Sequence, residues 1–184
     1  MKWRHKVIDE QQLIEGCVHG EPWAQMLVYE QYSEQMMAVC VRYVSDRETA
    51  RDLLQDAFIK VFTNISAYAG TGSFAGWIRR IFITTSLEYL RKNDALKQSV
   101  NLDDFDYSIE HEEVTILDTI SANELMKCVE ALPNGYRTVF NLYAIEGYAH
   151  AEIANMLDIS ENTSRSQFMR ARKLLQKSVQ SLIY

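Results

Sequence analysis

The chain has 184 residues, 47% of them hydrophobic and 11% aromatic, and carries a formal net charge of −6. That apolar content builds packed cores for one large domain or two small ones. Seven Gly and two Pro are too few punctuation marks for a turn-dense all-β fold, so the composition points to an all-α protein.

The first residues, MKWRHKVIDEQQLIEG, are basic but lack an apolar run after them. Nowhere does the chain reach the ~18 consecutive apolar residues of a membrane span. A cytoplasmic protein is the expectation. A short helix is predicted from about Glu10 to Cys17, closed by His19 and Gly20. Pro22 suits the first turn of a second helix, where its missing N–H would be unpaired anyway. Leu27, Met36, Val39, Cys40 and Tyr43 give that helix an apolar side. Ser45 or Asp46 reads as the next N-cap. The third helix, about Arg47 to Thr63, gathers Ala50, Leu53, Leu54, Ala57, Phe58, Val61 and Phe62 on one face. Arg51, Asp52, Gln55, Asp56 and Lys60 occupy the other.

A glycine-containing break, SAYAGTGSFAGW, separates this helix from a fourth, about Phe74 to Lys92, which ends on Arg91 and Lys92. Trp77, Ile78, Ile81, Phe82 and Leu87 make it strongly apolar, and Trp77 is expected in the core. Composition then changes. Between Gln98 and Met126 there is no Lys or Arg, while Asp103, Asp104, Asp106, Glu110, Glu112, Glu113, Asp118 and Glu124 supply eight negative charges. Like charges repel and little apolar area is present to order them, so residues 95–120 are expected to be an acidic linker between domains at 9–94 and 121–184.

Helical periodicity returns with Ala122 to Ala131, a break at Leu132-Pro133-Asn134-Gly135, and Tyr136 to Glu146. In HAEIANMLDISENTSRSQFMRARKLLQ, Ile153, Ala154 and Leu157 line a helix, Asp158-Ile159-Ser160 turns the chain, and a longer helix begins near Glu161 with Ser160 as its cap. This is the layout of a helix-turn-helix, with Ala154 allowing close packing and Ile159 plugging the corner. At 100° per residue, Ser164, Phe168, Ala171 and Leu175 fall on the buried side. Asn162, Ser166, Met169, Arg170, Lys173 and Lys177 fall opposite, with Arg165 and Arg172 at the margins. From Ser160 onwards five cations stand against Glu161 alone. A face of cations, small hydrogen-bonding groups and a thioether suits phosphates and base edges in a major groove.

Two separate stretches resemble one family. ETARDLLQDAFIKVF followed by SFAGWIRRI is similar to the second conserved region of bacterial sigma factors of the extracytoplasmic-function group. ALPNGYRTVFNLYAIEGYAHAEIANMLDISENTSRSQFMRARKLLQ is similar to their fourth region, in the same order with a variable linker between. The resemblance covers about residues 10 to 180. It implies a fold of two small helical domains, a four-helix region 2 and a helix-turn-helix region 4. It also implies a promoter-specificity subunit that binds core RNA polymerase and directs initiation. The partners implied are the clamp coiled coil of the largest polymerase subunit, the polymerase flap, promoter DNA and an anti-sigma factor.

Residue by residue, the resemblance places polymerase binding on Asp52, Leu53, Gln55, Asp56 and Lys60. It places capture and melting of the minus-ten element on Tyr68, Gly70, Thr71, Ser73 and Phe74, with Arg79, Arg80, Arg91 and Lys92 on phosphates. Minus-thirty-five contacts fall on Asn162, Arg165, Ser166, Met169, Arg170 and Lys173, in agreement with the helical-wheel placement. Relatives often have Arg and an acid where Ala69 and Thr71 stand, Asn at Thr84, Glu at Arg51, and Gly at Asp158 and Asn162.

Two other functions stand as alternatives. A helix-turn-helix regulator acting without polymerase would share the second half alone. An enzyme would need a constellation that His5, His19, His111 and His150, scattered along the chain, do not form. Cys17, Cys40 and Cys128 are odd in number and widely spaced, the pattern of reduced core thiols rather than disulfides or a metal site. No cofactor is expected.

Overall fold

The computed structural model describes residues 9–93 and 121–183. The acidic run expected at 95–120 lies outside them. All regular elements among the described residues are helical. The described residues divide into two compact units, one within Met1–Val41 and Asp46–Ser86 and the other within Arg42–Ser45 and Leu87–Tyr184.

In the first unit, α1 spans Glu10–Val18, α2 Pro22–Val44, α3 Arg47–Thr63 and α4 Phe74–Lys92, the last residues of α2 and α4 belonging to the second unit. Glycine at position 16 lets α1 and α2 approach closely, since a Cβ there would lie 2.7 Å from the Ala24 Cβ. Of the two possible caps for α3, Asp46 takes the role. Its carboxylate accepts from the Thr49 N–H at 2.8 Å and the Thr49 hydroxyl at 2.7 Å, and these bonds hold its pKa below the usual carboxylate value. Ala50, Leu53, Leu54, Ala57, Phe58 and Val61 are buried as the periodicity requires. Phe58 anchors the aromatic core, edge-on to Phe82 at 5.1 Å and against Tyr29 at 4.8 Å.

In the second unit, α5 covers Ala122–Glu130, α6 Asn134–Phe140, α7 His150–Leu157 and α8 Glu161–Ile183. Ser121 and Glu124 form a reciprocal capping box at the start of α5. The helix expected to run unbroken from Tyr136 to Glu146 instead widens into one π-type turn at Asn141–Ile145. Pro133 lies just before α6, which begins two residues earlier than expected, so Asn134 and Gly135 are already helical. Helices α5, α6 and α7 all pack on α8, and Val129, Leu132, Tyr136, Ala171 and Leu175 form a buried cluster. Buried Arg137 donates to the carbonyls of Glu130 at 2.8 Å and Leu132 at 3.1 Å, fastening the α5–α6 turn. Cys17 and Cys40 are buried free thiols, whereas Cys128 is half-buried.

Candidate nucleic-acid interface

The turn between α7 and α8 is set by backbone chemistry. Asp158 takes the left-handed conformation, φ 55° and ψ 49°, one that aspartate tolerates better than most residues and glycine best. The Ile159 N–H then closes onto the Ala154 carbonyl at 3.1 Å. Ser160 caps α8, its hydroxyl accepting from the Thr163 N–H at 3.0 Å. Beneath the turn, His150 Nδ1 lies 2.9 Å from the Ser164 hydroxyl, and its ring stacks on Tyr143 at 4.3 Å. Burial pushes the imidazole pKa down, the Arg165 charge adds to this, and Glu161 opposes both. The sequence reading placed Ser164 inside but missed His150 as its partner. The signal was available, since both carry polar atoms on faces otherwise apolar.

On the outer face of α8, Asn162, Arg165, Met169 and Lys173 are exposed, while Ser166 and Arg170 are half-buried. Phe168 is half-buried against Tyr143 at 4.5 Å, and Ser164, Ala171 and Leu175 are buried. The face is therefore the one that the helical wheel separates. Ser166 donates its hydroxyl to the Thr163 carbonyl at 3.0 Å. Arg170 Nη1 lies 3.4 Å from the Tyr136 hydroxyl, which steers the guanidinium from behind. Arg165 Nη2 meets Glu161 Oε1 at 2.5 Å within the first turns.

The break before α4 forms a small closed loop. Tyr68 donates its hydroxyl to the Gly72 carbonyl at 2.9 Å, and Gly70 and Gly72 turn the chain at φ 71° and 78°, where L side chains are strained. Ser73 accepts from the Gly76 N–H at 3.0 Å and so begins α4. Gly70, Thr71 and Ser73 are exposed, and Tyr68 is half-buried. Phe74 is different. It is 0% exposed, edge-on to Tyr32 at 5.9 Å and parallel to Trp77 at 5.9 Å, so it belongs to the core and is not a base-stacking surface. Its place beside the loop is taken by Trp77, expected in the core but half-buried, with its ring 5.5 Å from Tyr68. Arg80, Arg91 and Lys92 are exposed and Arg79 is half-buried. Arg80 and Arg91 fall on one side of α4, about 16 Å apart along its axis.

On α3, Asp52, Gln55 and Asp56 are exposed and Lys60 is half-buried. Leu53 agrees with the helical periodicity but not with the docking role that the resemblance gave it. At 4% exposure it is part of the core, because positions 50, 53, 54 and 57 share the buried stripe. Ile59, not singled out from the sequence, is 63% exposed. It lies on the same side as Asp52, Gln55 and Asp56, so the polar face has an apolar centre.

Taken together, these features define a helix-turn-helix DNA-binding unit joined in one chain to a second helical unit with a closed aromatic loop. The family model for Sigma-70 region 2 matches residues 28–96, and that for Sigma-70, region 4 matches residues 122–175. The chain belongs to the sigma-70 family, in its extracytoplasmic-function group. It is 28% identical over 95% of both chains to the RNA polymerase sigma-H factor of Pseudomonas aeruginosa. The ECF RNA polymerase sigma-E factor of Escherichia coli strain K12 is 26% identical, over 96% of this chain and 97% of that one. Among solved structures, the sigma factor RpoE in complex with the anti-sigma factor NepR from Bartonella quintana aligns with a TM-score of 0.52 at 17% identity, covering 84% of this chain and 96% of that one. CnrH in complex with the cytosolic domain of CnrY aligns with a TM-score of 0.50 at 17% identity, covering 92% and 96%. No helix among the described residues is long and apolar enough to cross a membrane.

Proposed function

We propose that this chain is a promoter-specificity subunit: it binds core RNA polymerase and directs promoter recognition and transcription initiation. The observation that carries the reading is the exposed cationic face of α8, held over a packed helix-turn-helix, in a chain whose other half matches region 2 of the same family. A regulator working without polymerase leaves the match at residues 28–96 unexplained.

In this reading the functional domains are 9–94 and 121–184, with the acidic segment 95–120 tethering them. Asp52, Gln55, Asp56, Lys60 and Ile59 dock on the polymerase clamp. Unpaired minus-ten bases meet Tyr68, Gly70, Thr71, Ser73 and Trp77, with Arg79, Arg80, Arg91 and Lys92 on phosphates. Extruding a base from the stack costs a few kcal/mol, and aromatic stacking offsets it. Asn162, Arg165, Ser166, Met169, Arg170 and Lys173 read the duplex at minus thirty-five. Each domain alone binds weakly, and docking both on one polymerase raises their effective concentration along the promoter. The protein acts in the cytoplasm without catalysing a reaction of its own, under the control of an anti-sigma factor such as those bound to the two aligned structures. Run-off transcription with core polymerase and a genomic promoter library tests the proposal. Discrete start sites that require both proteins support it, and duplex binding with no polymerase association refutes it.

A further inference from the structure

We infer that Glu161 is a specificity-determining positioning residue, which holds the Arg165 guanidinium and thereby sets which base pair of the upstream element Arg165 reads. The inference rests on the proposed sigma function and names how one part of its duplex-reading face is controlled.

Glu161 stands alone against five cations from Ser160 to the end of the sequence. It occupies the first turn of α8, one helical turn before Arg165, and its Oε1 meets Arg165 Nη2 at 2.5 Å. Both side chains are well exposed, Arg165 at 60% and Glu161 at 45%. Exposed pairs of this kind contribute little to folding. Placed on a face that approaches phosphates, a carboxylate also opposes binding to any duplex. Its charge therefore lowers affinity for every duplex alike, and any gain in selectivity comes through geometry.

A free arginine samples many rotamers, whereas this one is tethered through one nitrogen of a planar five-donor fork. The remaining N–H groups are left to form the paired bonds that guanine O6 and N7 accept, a contact whose value depends on orientation. Glu161 thus trades general attraction for selectivity. Arg170, farther along the same helix, meets the Tyr136 hydroxyl at 3.4 Å.

The test uses the full chain with core polymerase on promoters randomised through the upstream element, alongside direct binding selection of the same duplex library. Glu161→Ala is expected to lower base discrimination at one position at least about fivefold, at the position where Arg165→Ala also loses it, while binding to duplex lacking the element increases. Glu161→Gln, which keeps an acceptor but not the charge, is expected to retain part of the preference, and it remains available should Glu161→Ala fold poorly. Unchanged preferences in both variants, or a loss at positions that Arg165→Ala leaves intact, would overturn the inference. If the wild-type chain gives no polymerase-dependent transcripts, the sigma reading fails separately, and the binding selection still decides the role of Glu161.

Discussion

His150 Nδ1 and Ser164 Oγ lie 2.9 Å apart, so the first residue of α7 and a buried position on α8 are tied together inside the helix-turn-helix. Burial and the Arg165 charge keep this imidazole below its ordinary pKa. The unfolded chain, in contrast, takes up its proton near the ordinary value of about 6.5. The stability contributed by the neutral ring is therefore complete above that value, and it is lost as pH falls towards the lower folded value. The full chain is expected to unfold at progressively lower temperature as pH falls below about 6.5. His150→Gln, which keeps a hydrogen-bonding side chain but does not titrate there, is expected to flatten that dependence. Equal slopes in the two proteins would show that His150 is not responsible.

Arg170 is half-buried and backed by the Tyr136 hydroxyl at 3.4 Å, so its approach to the duplex is constrained. Replacing it with alanine is expected to weaken recognition of the preferred upstream element by about 1 to 3 kcal/mol if it makes a paired contact to one base. Tyr136→Phe removes only the support and is expected to cost about 0.5 to 1.5 kcal/mol. Equilibrium binding to the element and to single-base variants checks both. A loss equal on every sequence would reassign Arg170 to phosphate.

Helix ends and buried stripes were legible because they follow from periodicity and local capping: α3 begins and ends where the apolar spacing and Asp46 place it, and the inward side of α8 agrees with the wheel at Ser164, Ala171 and Leu175. Exposure of the outer side of α8 was legible too, as at Arg165 and Met169. It was less so at the edges of a stripe. Leu53 and Phe74 were assigned to binding surfaces, yet tertiary packing seals both, and Ile59 has a core-type side chain left outside. Spacing places Leu53 inside and only the resemblance put it outside, whereas the depth of Phe74 and Ile59 depends on how the helices pack against one another. The π-type turn at Asn141–Ile145 was hidden for a related reason, since its residues are ordinary helix formers.

Tyr68 closes the loop before α4 by its bond to the Gly72 carbonyl. Tyr68→Phe keeps the ring against Trp77 but frees the loop, and loss of one such bond is worth about 0.5 to 1.5 kcal/mol. Promoter opening by the reconstituted holoenzyme is expected to slow by roughly two- to tenfold, with duplex binding upstream unchanged. Trp77→Ala, which removes a half-buried ring, is expected to impair opening more severely. Fluorescence of a base analogue in the minus-ten element measures the step. Opening at the wild-type rate in both variants would remove the loop from base capture.

Leu53 and Ile59 lie on different sides of α3 with opposite fates, the first 4% exposed and the second 63%, and their substitutions should separate folding from docking. Leu53→Ala leaves a void in the core and is expected to destabilise the protein by about 2 to 5 kcal/mol. The molecules that remain folded are expected to bind core polymerase as before. Ile59→Asp places a charge on a surface already exposed, so stability is expected to change little. Polymerase affinity is expected to fall by about 1 to 2 kcal/mol, as for an apolar anchor ringed by polar groups. Asp56→Ala on the same face serves as a milder control. Thermal unfolding and titration with labelled core polymerase distinguish the two residues. The reverse pattern, with Ile59→Asp unfolding the chain and Leu53→Ala abolishing binding without destabilising it, would move the docking surface to the other side of α3.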